Sequence, residues 1–443
     1  MSPRLAGRVG SAYGTVTRAS RGPSGGYHCG VEIRERTIWR SPLRGPWLTA
    51  ALGLALLVPL VVVIVTGLLS YAAYEPNLPG NDATPGKELL GFYLFDWPTD
   101  PPWLYRLTQG AHVALGIALV PVVLAKLWSV IPKLFELPPV RSIGHALERA
   151  SLLLLVGGIV FEFVTGILNI QVFYVFPFSF YTAHLYGAWV FIGAFVAHVL
   201  LKFPTMVRSL RARPVREVLA TSTADTRPDP DGPLVATDPS PPTMSRRGAA
   251  AFVGAASATL FGLYVGQTLD GPLRRTALFA PHDRDLGEGA NAFPVNKTAE
   301  TAGVTRARAD AWRLELAGPS GTQRFTRADL AALPQHTYDL PIACVEGWSI
   351  SCTWTGVRLA DLVRLAGGST QDRLFVESFQ AGGAFGQVSL SVGQSQADES
   401  LLALFVGGEE LSLDHGYPAR TIIPAAPGVH ATKWVGRLTV VTA

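Results

Sequence analysis

Pro341-Ile342-Ala343-Cys344-Val345-Glu346-Gly347-Trp348-Ser349, followed by Trp354-Thr355-Gly356, decides how the C-terminal part of this chain is read. A short apolar run ends in a cysteine and the chain then turns at a glycine. That pattern predicts a thiol at a strand end, facing a pocket, where its thiolate can bind a soft metal or act as a nucleophile. A single cysteine taken alone is more often a small buried hydrophobe.

Outward from this stretch, short apolar segments alternate with turns. Strands are expected at 312–316, 374–378, 420–423 and 437–441, and helices at 327–333 and 358–366. The result is a mixed α+β domain over 287–443. N-terminal to it lie four long apolar segments at about 47–72, 104–131, 149–170 and 180–203, then a fifth at about 249–267. Each can hold roughly 20 residues, enough to cross a bilayer. Trp47, Trp103 and Trp128 sit near their ends as interface anchors. The fold class is therefore a multi-domain chain: an all-α transmembrane bundle of four helices plus a fifth anchor helix, followed by the α+β domain.

Composition agrees with this division. The 443 residues are 48% hydrophobic and only 16% charged, with a net charge of +4. No basic stripe with interleaved aromatics appears, so nucleic acid is not an expected partner. Cys29, Cys344 and Cys352 do not make a disulfide framework. Residues 1–45 form a basic arm expected to be disordered, and His28-Cys29 inside it reads as an ordinary loop pair. Residues 46–205 are the four-helix unit. Residues 206–247 read as a flexible linker rich in Pro, Asp and Thr. Residues 248–268 are the fifth helix, preceded by Ser245-Arg246-Arg247, which resembles a twin-arginine export signal as much as two positive-inside anchors. Counting Lys and Arg, the loops alternate rich, poor, rich, poor, rich. That pattern predicts a plasma-membrane protein with a cytoplasmic N-terminus and an extracytoplasmic C-terminal domain. Asn296-Lys297-Thr298 fits a glycosylation sequon, a weak pattern.

Ionisable residues within the apolar segments suggest function. His112 lies in the second segment, and His184 and His198 in the fourth. His184 and His198 are fourteen residues apart, about four helical turns, which sets them on one face roughly 21 Å apart. Neutral imidazoles on facing helices can clamp a haem iron from both sides. His184-Leu185-Tyr186-Gly187 through His198-Val199-Leu200-Leu201-Lys202 resembles the fourth helix of membrane cytochromes b. The resemblance implies a b haem between His112 and His184. A second haem on His198 has His145 as its candidate partner, because Lys126 stands where such proteins often have another histidine. The bland alternative is histidines bonded to backbone or headgroups.

The cysteine stretch resembles that of the sulfite oxidase family of molybdenum-molybdopterin enzymes, nearest the methionine sulfoxide reductase-like branch. His415-Gly416-Tyr417-Pro418-Ala419-Arg420, Ile423-Pro424 and Lys433-Trp434-Val435 carry the same resemblance. It implies Cys344 as the molybdenum ligand, and Arg420 and Lys433 as partners of the pterin phosphate and ring edge, Arg420 also serving the catalytic site. It further implies Asn291, Phe293, Ser378, His415 and a backbone donor at Thr432 against the cofactor. Pro294 and Val295 replace the Tyr and Glu of the sulfoxide reductase branch. Many members continue into an immunoglobulin-like domain; this sequence ends at Ala443. The implied activity is oxygen-atom transfer coupled through haem to quinone or quinol, with an S- or N-oxide as the expected small-molecule substrate and membrane lipid as surroundings. A sulfite-type dehydrogenase feeding quinone is the alternative within the family, and a non-catalytic binding module the alternative outside it.

Overall fold

A computed structural model of the chain describes residues 39–81, 95–135, 142–173, 175–230, 234–236, 238–282 and 284–442. His28-Cys29 and most of the expected basic arm lie outside the described residues.

Among the described residues, five helices are long and apolar enough to cross a membrane: α1 (Pro46–Ala73), α2 (Leu104–Leu134), α3 (Ile143–Ile170), α4 (Phe180–Ala212) and α5 (Arg246–Leu269). α3 begins six residues before the expected start because the Ser142 hydroxyl accepts the His145 N–H at 3.2 Å and caps it. Ser179 and Ser245 cap α4 and α5 in the same way. Pro59, Pro121, Pro132 and Pro204 lie inside helices, where packing against neighbouring helices offsets the missing hydrogen bonds. Leu56, Leu60, Leu119, Val123, Ile159 and Phe191 form the bundle core. Leu54, Val58, Val61, Leu153, Leu154 and Leu200 face outward as a lipid-type surface.

The fifth helix packs into the bundle: Gly110 of α2 lies against the Thr268 side chain, where a β-carbon would clash. At the far end of the helices, Asp229 of the expected linker is buried. It accepts from the Trp47 N–H at the start of α1 and pairs with Arg213 at 2.7 Å and Arg246 at 2.8 Å. The linker is thus fastened to the bundle at this point, and the first of the twin arginines is a buried ion-pair partner.

The C-terminal part holds two five-stranded sheets. Its strands are β1 (Leu314–Gly318), β2 (Gly321–Phe325), β3 (His336–Ala343), β4 (Ser349–Arg358), β5 (Arg373–Ser378), β6 (Gln387–Leu390), β7 (Leu401–Val406), β8 (Glu409–Glu410), β9 (Arg420–Ile422) and β10 (Val435–Val441). One sheet runs β2-β1-β10-β5-β6, with β1 and β10 parallel. The other runs β3-β4-β7-β8, with β9 also on β7. Leu314, Leu316, Leu359, Leu362, Leu402 and Leu438 fill one core, and Leu340, Trp348, Trp354, Leu401 and Ile422 the other.

This domain sits on the ends of the helices. Asn81 exchanges side-chain hydrogen bonds with the Ser389 backbone at 2.8 and 3.3 Å. Trp97 Nε1 donates to the Ala425 carbonyl at 2.7 Å, and Arg106 reaches Ser351 at 3.0 Å. Asn81, Trp97 and the start of α2 therefore face the C-terminal domain, as does the end of α5. The starts of α1 and α5 lie at the opposite end, with Asp229.

Candidate molybdopterin site and histidine cavity

Cys344 follows the last residue of β3 and opens the turn into β4. Its N–H donates to the Trp348 carbonyl at 2.9 Å and its carbonyl accepts from Gly347 at 3.0 Å. Gly347 has φ +90 and its α-carbon faces Val113, so a side chain there meets both a strained backbone and α2. The hairpin therefore presents the thiol at a strand end. Asn296 Nδ2 donates to the Cys344 sulfur at 3.0 Å and to Glu346 Oε1 at 3.1 Å. The sequon asparagine is thus part of the cysteine's surroundings. Glu346 is buried and also accepts from His282 and from Trp348 Nε1, each at 2.9 Å. Burial raises the Cys344 thiol well above its ordinary range, and the Glu346 carboxylate adds to this. Binding a metal cation would reverse that balance by favouring the thiolate. Cys352, also a free thiol, is pushed up to about 12 by burial. It lies on β4 opposite Leu340.

The other expected cofactor residues apart from Ser378 gather in one neighbourhood. Arg420 is buried, donates to the His415 carbonyl at 3.0 Å and the Ala431 carbonyl at 3.1 Å, and lies over Trp354. Its Nε has no partner among the described residues, and neither has the buried hydroxyl of Thr432. Burial lowers Arg420 to about 10. Lys433 donates to the carbonyls of Lys297 at 2.7 Å and Asp414 at 2.8 Å. Burial, then Arg420, lowers it to about 7. Arg420 and Lys433, near enough for the Arg420 charge to lower Lys433 and each without an ion pair among the described residues, lie beside orphaned donors and fit an anionic group such as a phosphate. His415 differs from expectation: Nδ1 is bonded to Ser412 at 2.8 Å and Nε2 to the Phe293 carbonyl at 3.0 Å, so both ring nitrogens are taken. Burial lowers it to about 4, keeping the ring neutral. Asn291 likewise spends its amide on Glu410 and Ser412, and the Thr432 N–H donates to Thr421. Phe293 packs on His415 with ring centres 3.7 Å apart. Ser378 lines a separate polar cavity of about 370 Å³ with Tyr74, Asn81, Gln380 and His430.

In the bundle, His112 and His184 line one cavity of about 170 Å³. Their ring centres are 6.2 Å apart at 86°. His112 Nδ1 lies 2.9 Å from the Val63 carbonyl, and His184 Nδ1 lies 3.0 Å from Thr165 and 3.2 Å from Glu162. Tying Nδ1 to an acceptor fixes the proton there and leaves the Nε2 lone pair for a metal. Gly67 and Gly166 make the room: a β-carbon at either would press on His112 or His184. His145 and His198 are not among the residues lining this cavity.

The cysteine turn and the histidine cavity touch, which sequence reasoning missed. Val345 lines the cavity. Gln109, one turn before His112, donates to the Val345 carbonyl at 2.6 Å. From α5, Tyr264 and Gln267 donate to the Glu346 carbonyl at 2.6 and 3.3 Å, and Thr268 to the Gly347 carbonyl at 2.6 Å. Ser349 returns a bond to the Thr268 carbonyl at 2.7 Å. The only sequence signal was polar residues near the ends of apolar segments.

Comparison with known proteins fits this geometry. Residues 301–443 match the oxidoreductase molybdopterin binding domain. The chain is 27% identical over 175 residues to rat (Rattus norvegicus) mitochondrial sulfite oxidase, covering 33% of this chain and 32% of that one. It is 31% identical to an uncharacterised oxidoreductase of Bacillus subtilis, covering 28% and 62%. It is 29% identical to an Azospira oryzae protein provisionally named a protein-methionine-sulfoxide reductase subunit, covering 33% and 55%. The chain spans about a third of the length of the sulfite oxidases it matches. Its C-terminal part is a molybdopterin-binding oxidoreductase domain with sulfite oxidase homologues, joined to a region of five candidate membrane-spanning helices.

Proposed function

We propose that the chain is a membrane-bound molybdenum oxidoreductase that couples oxygen-atom transfer to a b haem and the quinone pool, removing oxygen from a neutral S- or N-oxide. The observation carrying this reading is the contact between the two centres: Val345, next to Cys344, lines the cavity shared by His112 and His184. Bound molybdenum-molybdopterin supplies two-electron oxygen-atom transfer. Cys344 would be its thiolate ligand, with Arg420 and Lys433 against its phosphate. His112 and His184 would hold the haem iron. For an S-oxide the balance is R2SO + 2 H+ + 2 e− → R2S + H2O, a quinol giving up the two electrons and two protons as it becomes quinone. His198, with His145 as its candidate partner, would hold a second haem apart from the His112–His184 cavity, which neither of them lines.

The side chains around the thiol favour a neutral substrate. Its amide partner is Asn296 and the next charge is the Glu346 carboxylate, which disfavours an anion such as sulfite. The basic loops at the Asp229 end of the bundle support an extracytoplasmic C-terminal domain. A domain loaded with a bulky cofactor before export would explain arginines ahead of α5.

The test begins with metal and haem quantitation on one purified sample. Methionine sulfoxide and trimethylamine oxide are then offered to the reduced protein, and sulfite to the oxidised one. Haem reoxidation by an oxide is expected. Haem reduction by sulfite alone would reverse the direction, a sulfite-type dehydrogenase. Absence of molybdenum from protein made in a competent host would leave a binding module.

A further inference from the structure

The turn that carries Cys344 lies between two structures that need not have met. Gln109 lines the histidine cavity, is buried, and spends its amide N–H on the Val345 carbonyl at 2.6 Å. Its own oxygen has no partner among the described residues. Three residues further along α2 stands His112, on the same helix face. From the Cys344 sulfur, the path through its backbone to the Val345 carbonyl, across one short hydrogen bond and along one helical turn ends at an imidazole. Thr268 also grips the turn, at the Gly347 carbonyl, but from α5, which carries neither histidine of the pair.

We propose that Gln109 is the positioning residue for electron passage between the cysteine site and the histidine pair, resting on the haem and molybdenum reading above. Its hydrogen bond holds Val345 in the cavity wall. It also closes the connection between Cys344 and His112. One electron crosses at a time, so two passages and the uptake of two protons, matched by the two that a quinol releases, accompany each oxygen atom released as water. The electrons come from a quinol.

The full-length loaded enzyme is compared with Gln109→Met, which keeps volume and loses the amide. Thr268→Val serves as control, removing a bond to the same turn off the route. Haem and molybdenum content, turnover with a soluble viologen donor, and the stopped-flow rate of haem reoxidation by methionine sulfoxide are measured. Hydrogen exchange at 344–347 reports how firmly the turn is held. In Gln109→Met, reoxidation slows by roughly 100-fold, the scale of a small misplacement, while viologen-driven turnover and both contents stay at wild-type values. In Thr268→Val, exchange at the turn rises and reoxidation is unchanged. Equal slowing in both variants would make Gln109 a mere fastener and overturn the proposal, as would no slowing in Gln109→Met. If Gln109→Met loses its haem, Gln109→Asn, an amide too short to reach Val345, is judged by the same outcomes. Wild-type protein without haem would refute the underlying reading instead, and is seen before any variant is made.

Discussion

Lys433 is the residue whose charge state the proposed cofactor has most to change. Its Nζ already donates to two carbonyls, at 2.7 and 2.8 Å, and a lysine ammonium has a third N–H to give. Burial and Arg420 lower it to about 7, from an ordinary value of 10.5. The unfolded chain keeps the proton up to that ordinary value. Folding of cofactor-free protein is therefore disfavoured progressively as pH falls from 10.5 to 7, and the penalty is constant below. A phosphate placed beside Lys433 and Arg420 moves the lysine back toward its ordinary range. Above pH 7, then, the phosphate-bearing pterin binds only with uptake of a proton. Its dissociation constant should rise about tenfold per pH unit, or roughly 100-fold from pH 7 to 9. The phosphate is a dianion throughout that window and adds no slope of its own. Isothermal titration of the pterin into cofactor-free protein measures this, with Lys433→Met as the reference, which should bind weakly and with no slope. A flat wild-type profile between pH 7 and 9, or a slope surviving in Lys433→Met, would refute the reasoning.

Three other outcomes follow from the same geometry. Cys344→Ala should lose oxide turnover while keeping the haem spectrum, measured on one sample; full turnover would remove the sulfur from the site. His184→Ala should lose the b-type spectrum, leave Glu162 and Thr165 without their imidazole partner, and keep viologen-driven turnover; an unchanged spectrum would exclude the His112–His184 pair. Trp354→Ala, removing a fully buried indole from beneath Arg420, should destabilise the C-terminal domain by about 3–5 kcal/mol. Denaturant titration of domain fluorescence reads that loss, and a change below about 1 kcal/mol would contradict the core assignment.

Sequence pattern was a good guide where one period dominates. The apolar segments became α1 to α5 because roughly 20 apolar residues leave a helix little alternative. The Cys344 turn was legible because a glycine ends an apolar run and Gly347 adopts the positive φ only glycine takes easily. Contacts across long separations were not legible. Nothing local to Asp229, in a Pro-rich stretch, indicates that it would take up the first N–H of α1 and two arginines. His415 shows the reverse limit: a motif position suggested a cofactor contact, yet Ser412 and Phe293 use both ring nitrogens. Asn296 was read for the sequon it spells, whereas folding turns its amide onto sulfur.

The carbonyls of the cysteine turn explain why the two halves belong together. A glycine turn between β3 and β4 leaves the carbonyls of Val345, Glu346 and Gly347 without strand partners. The C-terminal domain does not supply the missing donors: Gln109, Tyr264, Gln267 and Thr268 come from α2 and α5. A buried carbonyl left unpaired costs about 1–3 kcal/mol, so a dry turn at this place is stable only against those helix ends. α5 is tied covalently to the domain it supports, which keeps its donors at high effective concentration. α2 is tied only by contact, and it is α2 that carries His112. Of the hydrogen bonds that complete the cysteine turn, the one from Gln109 therefore also fixes its distance from the histidine cavity. A change that removed it would alter the spacing between the two centres, whereas losing a donor of α5 would loosen the turn without parting it from α2.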